Sequence, residues 1–232
     1  MKQDRETRVM EHRPALFVVG GTALIGALTA VLMGLGVAPA VNTFVVINAA
    51  AQSLMSVLLP LSGIMLVRGC VATKDCPNLR WALTIAAGYA ILVAVTAVGV
   101  SAVIATTVPN ATARWLHAPA AILGSLLVQL IAQSVGTVFG LLIRRVVVAF
   151  VASIVLPLGL WFVLGAIPAM APLQAWITPY AAAVRLLSGQ ADPLGWIQWL
   201  VMASVWTLGL NVVAIARLGG PAREPVKNAP PR

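Results

Sequence analysis

PALFVVGGTALIGALTAVLMGLGVAPAVNTFVVINAAAQSLMSVLLPLSGIMLV, residues 14–67, is a stretch of 54 residues without one Asp, Glu, Lys or Arg. A membrane-spanning helix needs about 20 apolar residues, because hydrocarbon leaves every backbone amide to be satisfied within the helix. The stretch holds two such spans, and GVAPAVN (36–42) supplies the turn between them. Further charge-free runs cover 81–113, 118–143, 146–184 and 193–216. The whole chain has 232 residues, 60% hydrophobic and 9% charged, with a mean hydropathy of +0.97. Soluble domains carry about 25% charged residues, so a soluble enzyme, a disordered protein and a secreted disulfide scaffold are excluded. The runs are apolar all round, which excludes the alternating strands of an outer-membrane barrel.

The expected fold class is all-α, a polytopic membrane protein with six transmembrane helices in a single domain over 14–218. The spans are expected at about 15–36, 43–67, 81–106, 119–143, 146–167 and 195–217. The first apolar run exceeds the 7–15 residues of a signal-peptide core and lacks a clean cleavage site, so it reads as a retained helix. Residues 1–13, with the polar stretch QDRETRVMEHR (3–13), read as an N-terminal interfacial helix ahead of Pro14, or as a charged tail. Segment 168–192 is too apolar for a solvated loop. It reads as an external re-entrant hairpin broken at Pro179. Residues 219–232 read as a disordered basic tail.

Six spans place Lys2, Arg5, Arg8, Arg13, Arg68, Lys74, Arg80, Arg144, Arg145, Arg217, Arg223, Lys227 and Arg232 on one side and Arg114 and Arg185 on the other. Thirteen of the 15 basic residues thus share a face, which the positive-inside rule assigns to the cytoplasm together with both termini. Trp81 would mark that interface, and Trp115, Trp176, Trp196 and Trp199 an outer aromatic belt. The net charge of +9 therefore reports orientation and contact with membrane lipid, not nucleic acid.

No charged residue falls inside an expected span, which disfavours ion-coupled carriers, pumps and charge-lined channels. The histidines, His12 and His117, fall on opposite sides. Cys70 and Cys76 have no zinc spacing and read as reduced thiols. No catalytic or metal site is expected, and the chain lacks a phosphate-binding GxxxxGK[ST] loop. Asn48, Gln52 and Ser56 recur every four residues on the second helix, as do Gln129, Gln133 and Thr137 on the fourth. Each trio shares one helical face. The faces could line a pathway or subunit interface, or supply interhelical hydrogen bonds. Gly136-x-x-x-Gly140 permits close helix approach, and Pro60 and Pro157 should kink the second and fifth spans.

The architecture resembles the permease subunits of ABC-2-type ATP-binding-cassette transporters. GTVFGLLIRRVVVAFVASIVLPLGLWFVLGAI (136–167) is similar to that family's fourth-to-fifth helix turn. The pattern W-x-x-P-Y-x-A-A-x-x-L-L-x-G from Trp176 to Gly189 is similar to its external segment, and RVMEHRPALFVVGGTALIGAL (8–28) to its entry into the first helix. The resemblance implies a bacterial plasma-membrane exporter subunit paired with a second permease copy or a similar chain. It also implies a separate ABC ATPase that binds ATP and Mg, so this chain carries no cofactor and is no enzyme. Arg68, Lys74, Asp75, Arg80, Arg144 and Arg145 would form the ATPase-coupling loops. Relatives commonly carry an acid and a Gly-Thr pair after the second helix; here LVRGCVATKDCPNLRW (66–81) has Gly69 or Cys70 near that place. The uncharged interior suits a hydrophobic or amphipathic cargo such as a drug, an antimicrobial peptide or a lipid-like molecule. The alternatives are a non-transporting membrane scaffold and a secondary carrier; comparison of residues 1–116 with 117–232 shows no convincing internal repeat. Twelve Arg against three Lys, with abundant Ala and Val, point to a high-GC bacterium.

Overall fold

The computed structural model describes residues 2–36, 42–73, 79–107, 114–209 and 212, with side chains from residue 14 onward and excluding 69–73. The described residues are helical throughout, joined by short turns and without a strand. Five helical stretches among them are long and apolar enough to cross a membrane: Pro14–Gly36, Phe44–Arg68, Leu79–Thr107, Ala118–Leu142 and Val146–Ala166. These match the first five expected spans to within about two residues at most ends.

The first helix, α1 (Lys2–Gly36), runs unbroken through Pro14. The expected N-terminal element and the first span are therefore one helix, which at 1.5 Å per residue is about 52 Å long. Proline deletes a single helical hydrogen bond, and the apolar residues after it continue the periodic contact with the bundle. On the far side of the turn Asn42, buried, donates from Nδ2 to the carbonyls of Met33 (3.3 Å) and Gly34 (3.1 Å). It so satisfies orphan acceptors of the last turn of α1.

The second span is two helices, α2 (Phe44–Leu58) and α3 (Pro60–Thr73). Thr43 caps α2 by accepting from the Val46 N–H. Pro60 has no N–H to give Ser56, so the ladder stops. The Leu59 N–H still reaches Met55 O (2.9 Å), and Ser62 N–H bonds back to Leu59 O (3.0 Å) in a tighter turn. At Pro60, where a kink is expected, the bond ladder is interrupted while Leu59 keeps helical angles (φ −56°, ψ −37°). At Pro157 the outcome differs: α6 (Val146–Ala166) is continuous across it.

The third span is α4 (Leu79–Thr107) and the fourth α5 (Ala118–Leu142). The packing at the centre is tight because α5 presents glycine to α3. A Cβ on Gly136 would overlap the Pro60 carbonyl and lie 2.5 Å from its Cα, and one on Gly140 would lie 2.8 Å from Ile64 Cα. Gly136-x-x-x-Gly140 is therefore a close-packing motif, α5 seated against α3.

Segment 168–192, expected as a re-entrant hairpin, holds a 3₁₀ turn at Ala171–Leu173, then α7 (Gln174–Ile177) and α8 (Pro179–Leu187). The break at Thr178 is stabilised locally, its hydroxyl donating to Gln174 O (2.7 Å) and accepting from Ala181 N–H (3.4 Å). α8 docks against α5, where Gly124 leaves room for the Leu186 backbone. Asp192 then caps α9 (Pro193–Ala203) through the Gly195 N–H, and a π-helical turn, Ser204–Gly209, follows. Of the expected sixth span, 195–217, residues 195–209 belong to one helical run from 193 to 209, and residue 212 is also helical. The other residues of that span, like the tail 219–232, lie outside the described residues.

The charges sort to opposite ends. Val67, Ala82 and Leu141 pack with Leu79 and Leu142, which brings Arg68, Arg80, Arg144 and Arg145 to one end of the bundle, all four exposed. At the other end Arg114 O accepts from Phe44 N–H (3.2 Å), and Gly189 lies against His117. Arg185, on α8 just before Gly189, belongs to that second end.

Candidate functional site

The two polar trios do not form one continuous lining. Asn48, Gln52 and Gln129 are wholly buried and spend their amides on one another. Gln129 Nε2 donates to Gln52 Oε1 (2.7 Å) and to Gln52 O (2.9 Å). Gln52 Nε2 donates to Ala94 O (3.0 Å) and more weakly to Asn48 Oδ1 (3.4 Å), and Asn48 Nδ2 donates to Ser125 Oγ (2.8 Å). This network ties α2, α4 and α5 together, and leaves Gln129 Oε1 a buried acceptor without a partner. Gln133, one turn on, belongs to a second cluster, its Oε1 3.1 Å from Ser62 Oγ on α3. Thr137, buried beside it, donates to Ser134 O (2.8 Å) on its own helix.

Ser56 behaves differently. Half-buried, it donates to Ser53 O (2.8 Å) and joins no interhelical bond. It faces instead a cleft of about 240 Å³ between the α2–α3 junction, α5, α6, α8 and α9. The prolines singled out in the sequence meet there: Pro60 at the helix boundary, Pro157 within α6 and Pro179 at the hairpin break all line the cleft. Val128, Ile131 and Val135 of α5 form its floor, with Ile154 and Leu158 of α6 opposite. Besides Ser56, Ser153 and Tyr180 are the polar residues of its wall, and no charged residue is among the described lining.

Two hydrogen bonds tie together elements beside the cleft. Trp206 Nε1, on the π turn, donates to Ile177 O (2.7 Å) between α7 and α8, and Gln174 Nε2 donates to Trp161 O (2.7 Å) near the end of α6. Trp161 also stacks edge-on with Tyr180, centroids 4.9 Å apart. Trp199 turns toward this cleft and not toward a peripheral belt, because α9 presents it to α5 and α8. Trp81 and Trp115, by contrast, are exposed near opposite ends of the bundle.

Of the residues expected to couple to a partner, Arg68, Arg80, Arg144 and Arg145 share the exposed end described above. Lys74 and Asp75 lie outside the described residues, as does Cys76. Among the described residues no three His, Cys, Asp or Glu side chains come together to hold a metal ion. What the cleft can do chemically is bind an apolar or weakly amphipathic molecule. Its convergence was not legible in spacing, since the three prolines lie 60, 157 and 179 residues along the chain. No protein-family model, no curated protein and no solved structure matches the chain.

Proposed function

We propose that this chain is the membrane-spanning permease subunit of an ABC exporter, moving a hydrophobic or amphipathic cargo with ATP hydrolysed by a separate subunit. The observation that carries the reading is the uncharged cleft on which the proline-marked helix breaks converge. A site of this kind takes an apolar guest, and breaks in its wall are where helices can tilt without unpacking their cores. The sequence resemblance to ABC-2 permeases supplies the class. The Arg68, Arg80, Arg144 and Arg145 end supplies a basic surface for an ATPase, to which the resemblance adds Lys74 and Asp75. A second copy or a similar permease would complete the pathway in the bacterial plasma membrane, with both termini cytoplasmic. Export of a drug or antimicrobial peptide in self-protection is the favoured use.

The test is co-purification of the tagged chain with the ABC ATPase encoded beside it, followed by reconstitution in lipid vesicles. ATP-dependent movement of an apolar dye, lost when the ATPase phosphate loop is disabled, is the expected result. A chain that recruits no ATPase, or recruits one indifferently after Arg144→Glu and Arg145→Glu, would be a scaffold and not a permease.

A further inference from the structure

Two proline sites in the cleft wall share a local pattern. Ser56 stands four residues before Pro60 and Ser153 four residues before Pro157, and all four residues line the cleft. Proline has no N–H, so at each site a serine carbonyl loses its ladder donor. The serine hydroxyls are spent backwards along their own helices. Ser56 donates to Ser53 O (2.8 Å) and Ser153 to Phe150 O (2.7 Å). A serine oxygen that has given its proton keeps lone pairs with which to accept. The α2–α3 junction and α6 therefore bring acceptors to one apolar cavity, with their hydroxyl protons already committed.

We propose that the cleft selects uncharged apolar guests that carry a hydrogen-bond donor, an N–H or O–H, which the oxygens of Ser56 and Ser153 receive. This rests on the cleft being the guest site and adds what the guest must offer. Hydrocarbon gives a donor no partner, so such a guest gains in the cleft a bond it lacked in lipid. A guest with acceptors alone, an ether or an ester, meets at both proline sites oxygens with no proton to give. An ammonium would enter without a counter-charge, since no described lining residue is charged. Two other donors border the cleft, and neither stands at a proline site. Trp199 Nε1 has almost no accessible surface, and the Tyr180 hydroxyl belongs to a half-exposed side chain on α8.

Carbazole, dibenzofuran and fluorene test this, being near-isosteres that differ in one bridging group: N–H, O or CH₂. Binding of each, tritiated, to the full chain in lipid nanodiscs is read by scintillation proximity, with empty discs correcting for partition into lipid. Carbazole should half-saturate at a concentration about threefold to tenfold below the other two. That preference should fall in Ser56→Ala with Ser153→Ala, at unchanged melting temperature, and fall further when Pro157→Ala returns an N–H to Ser153 O. Tyr180→Phe should keep it. Ala132→Phe, which fills the cleft, should weaken all three ligands and so place them there. Equal affinities in the unaltered chain, still sensitive to Ala132→Phe, overturn the donor preference while the cleft stands as a guest site. Saturable binding of none of the three overturns both. A preference that survives the three substitutions at the proline sites undiminished, or that Tyr180→Phe abolishes, also overturns the proposal.

Discussion

Residues of one type and one spacing have unlike fates in this protein, and the difference is what each meets across the helix interface. Gln52 takes part in three interhelical or network contacts through its side chain, to Gln129, Ala94 and Asn48. At roughly 0.6 kcal/mol each inside a membrane bundle, Gln52→Leu should cost about 2 kcal/mol. Ser56, on the same face, bonds only within its own helix, so Ser56→Ala should stay within about 0.5 kcal/mol of the parent. Thermal unfolding of the two variants in detergent separates them; equal losses would show that burial and not bonding decides. Gly136 presents the steric counterpart. A side chain there meets backbone and not a movable side-chain end, so Gly136→Leu should destabilise by about 1–3 kcal/mol or prevent folding. Gly88, with open space around it, should accept alanine without loss in the same assay.

At the scale of elements, the proline breaks and the straps across them govern what can move. Pro60→Ala restores an N–H that can reach Ser56 O and so rejoin α2 to α3. Amide exchange at residues 59–63 should then slow, and dye uptake into the cleft should fall as the junction stiffens. Unchanged exchange would mean that packing against Gly136, not the missing N–H, makes the boundary. Trp206→Phe removes the bond to Ile177 O while keeping most of the ring's bulk. Exchange in 171–178 should rise about tenfold, the loss of one bond of roughly 1 kcal/mol or slightly more, while α5 keeps its protection.

For the whole molecule, the segregation of charge is the property to test. The bundle presents Arg68, Arg80, Arg144 and Arg145 at one end and Arg114 and Arg185 at the other. The orientation proposed above makes the first end the cytoplasmic one. With Cys70 and Cys76 first replaced by serine, Arg80→Cys and Arg144→Cys should react with an impermeant maleimide only from the cytoplasmic side. Gln190→Cys should react only from outside. Labelling of all three from one side would contradict the transmembrane reading of the bundle.

Much of this was readable before any coordinates. Charge-free runs placed five spans within a few residues, because hydrocarbon forbids unpaired charge and unpaired backbone, a constraint acting on each segment alone. The helix break at Pro179 and the close-packing role of Gly136 and Gly140 were readable for the same local reason. Tertiary structure decided what partners supply. It split the second span at Pro60 yet left α6 whole at Pro157. It ran α1 through Pro14, joined Asn48, Gln52 and Gln129 in one buried network, and set Ser56, three prolines and Trp199 around one cleft. Periodicity says which residues share a helical face. Only the packing of five separate elements says whether that face meets an amide, a glycine or open space.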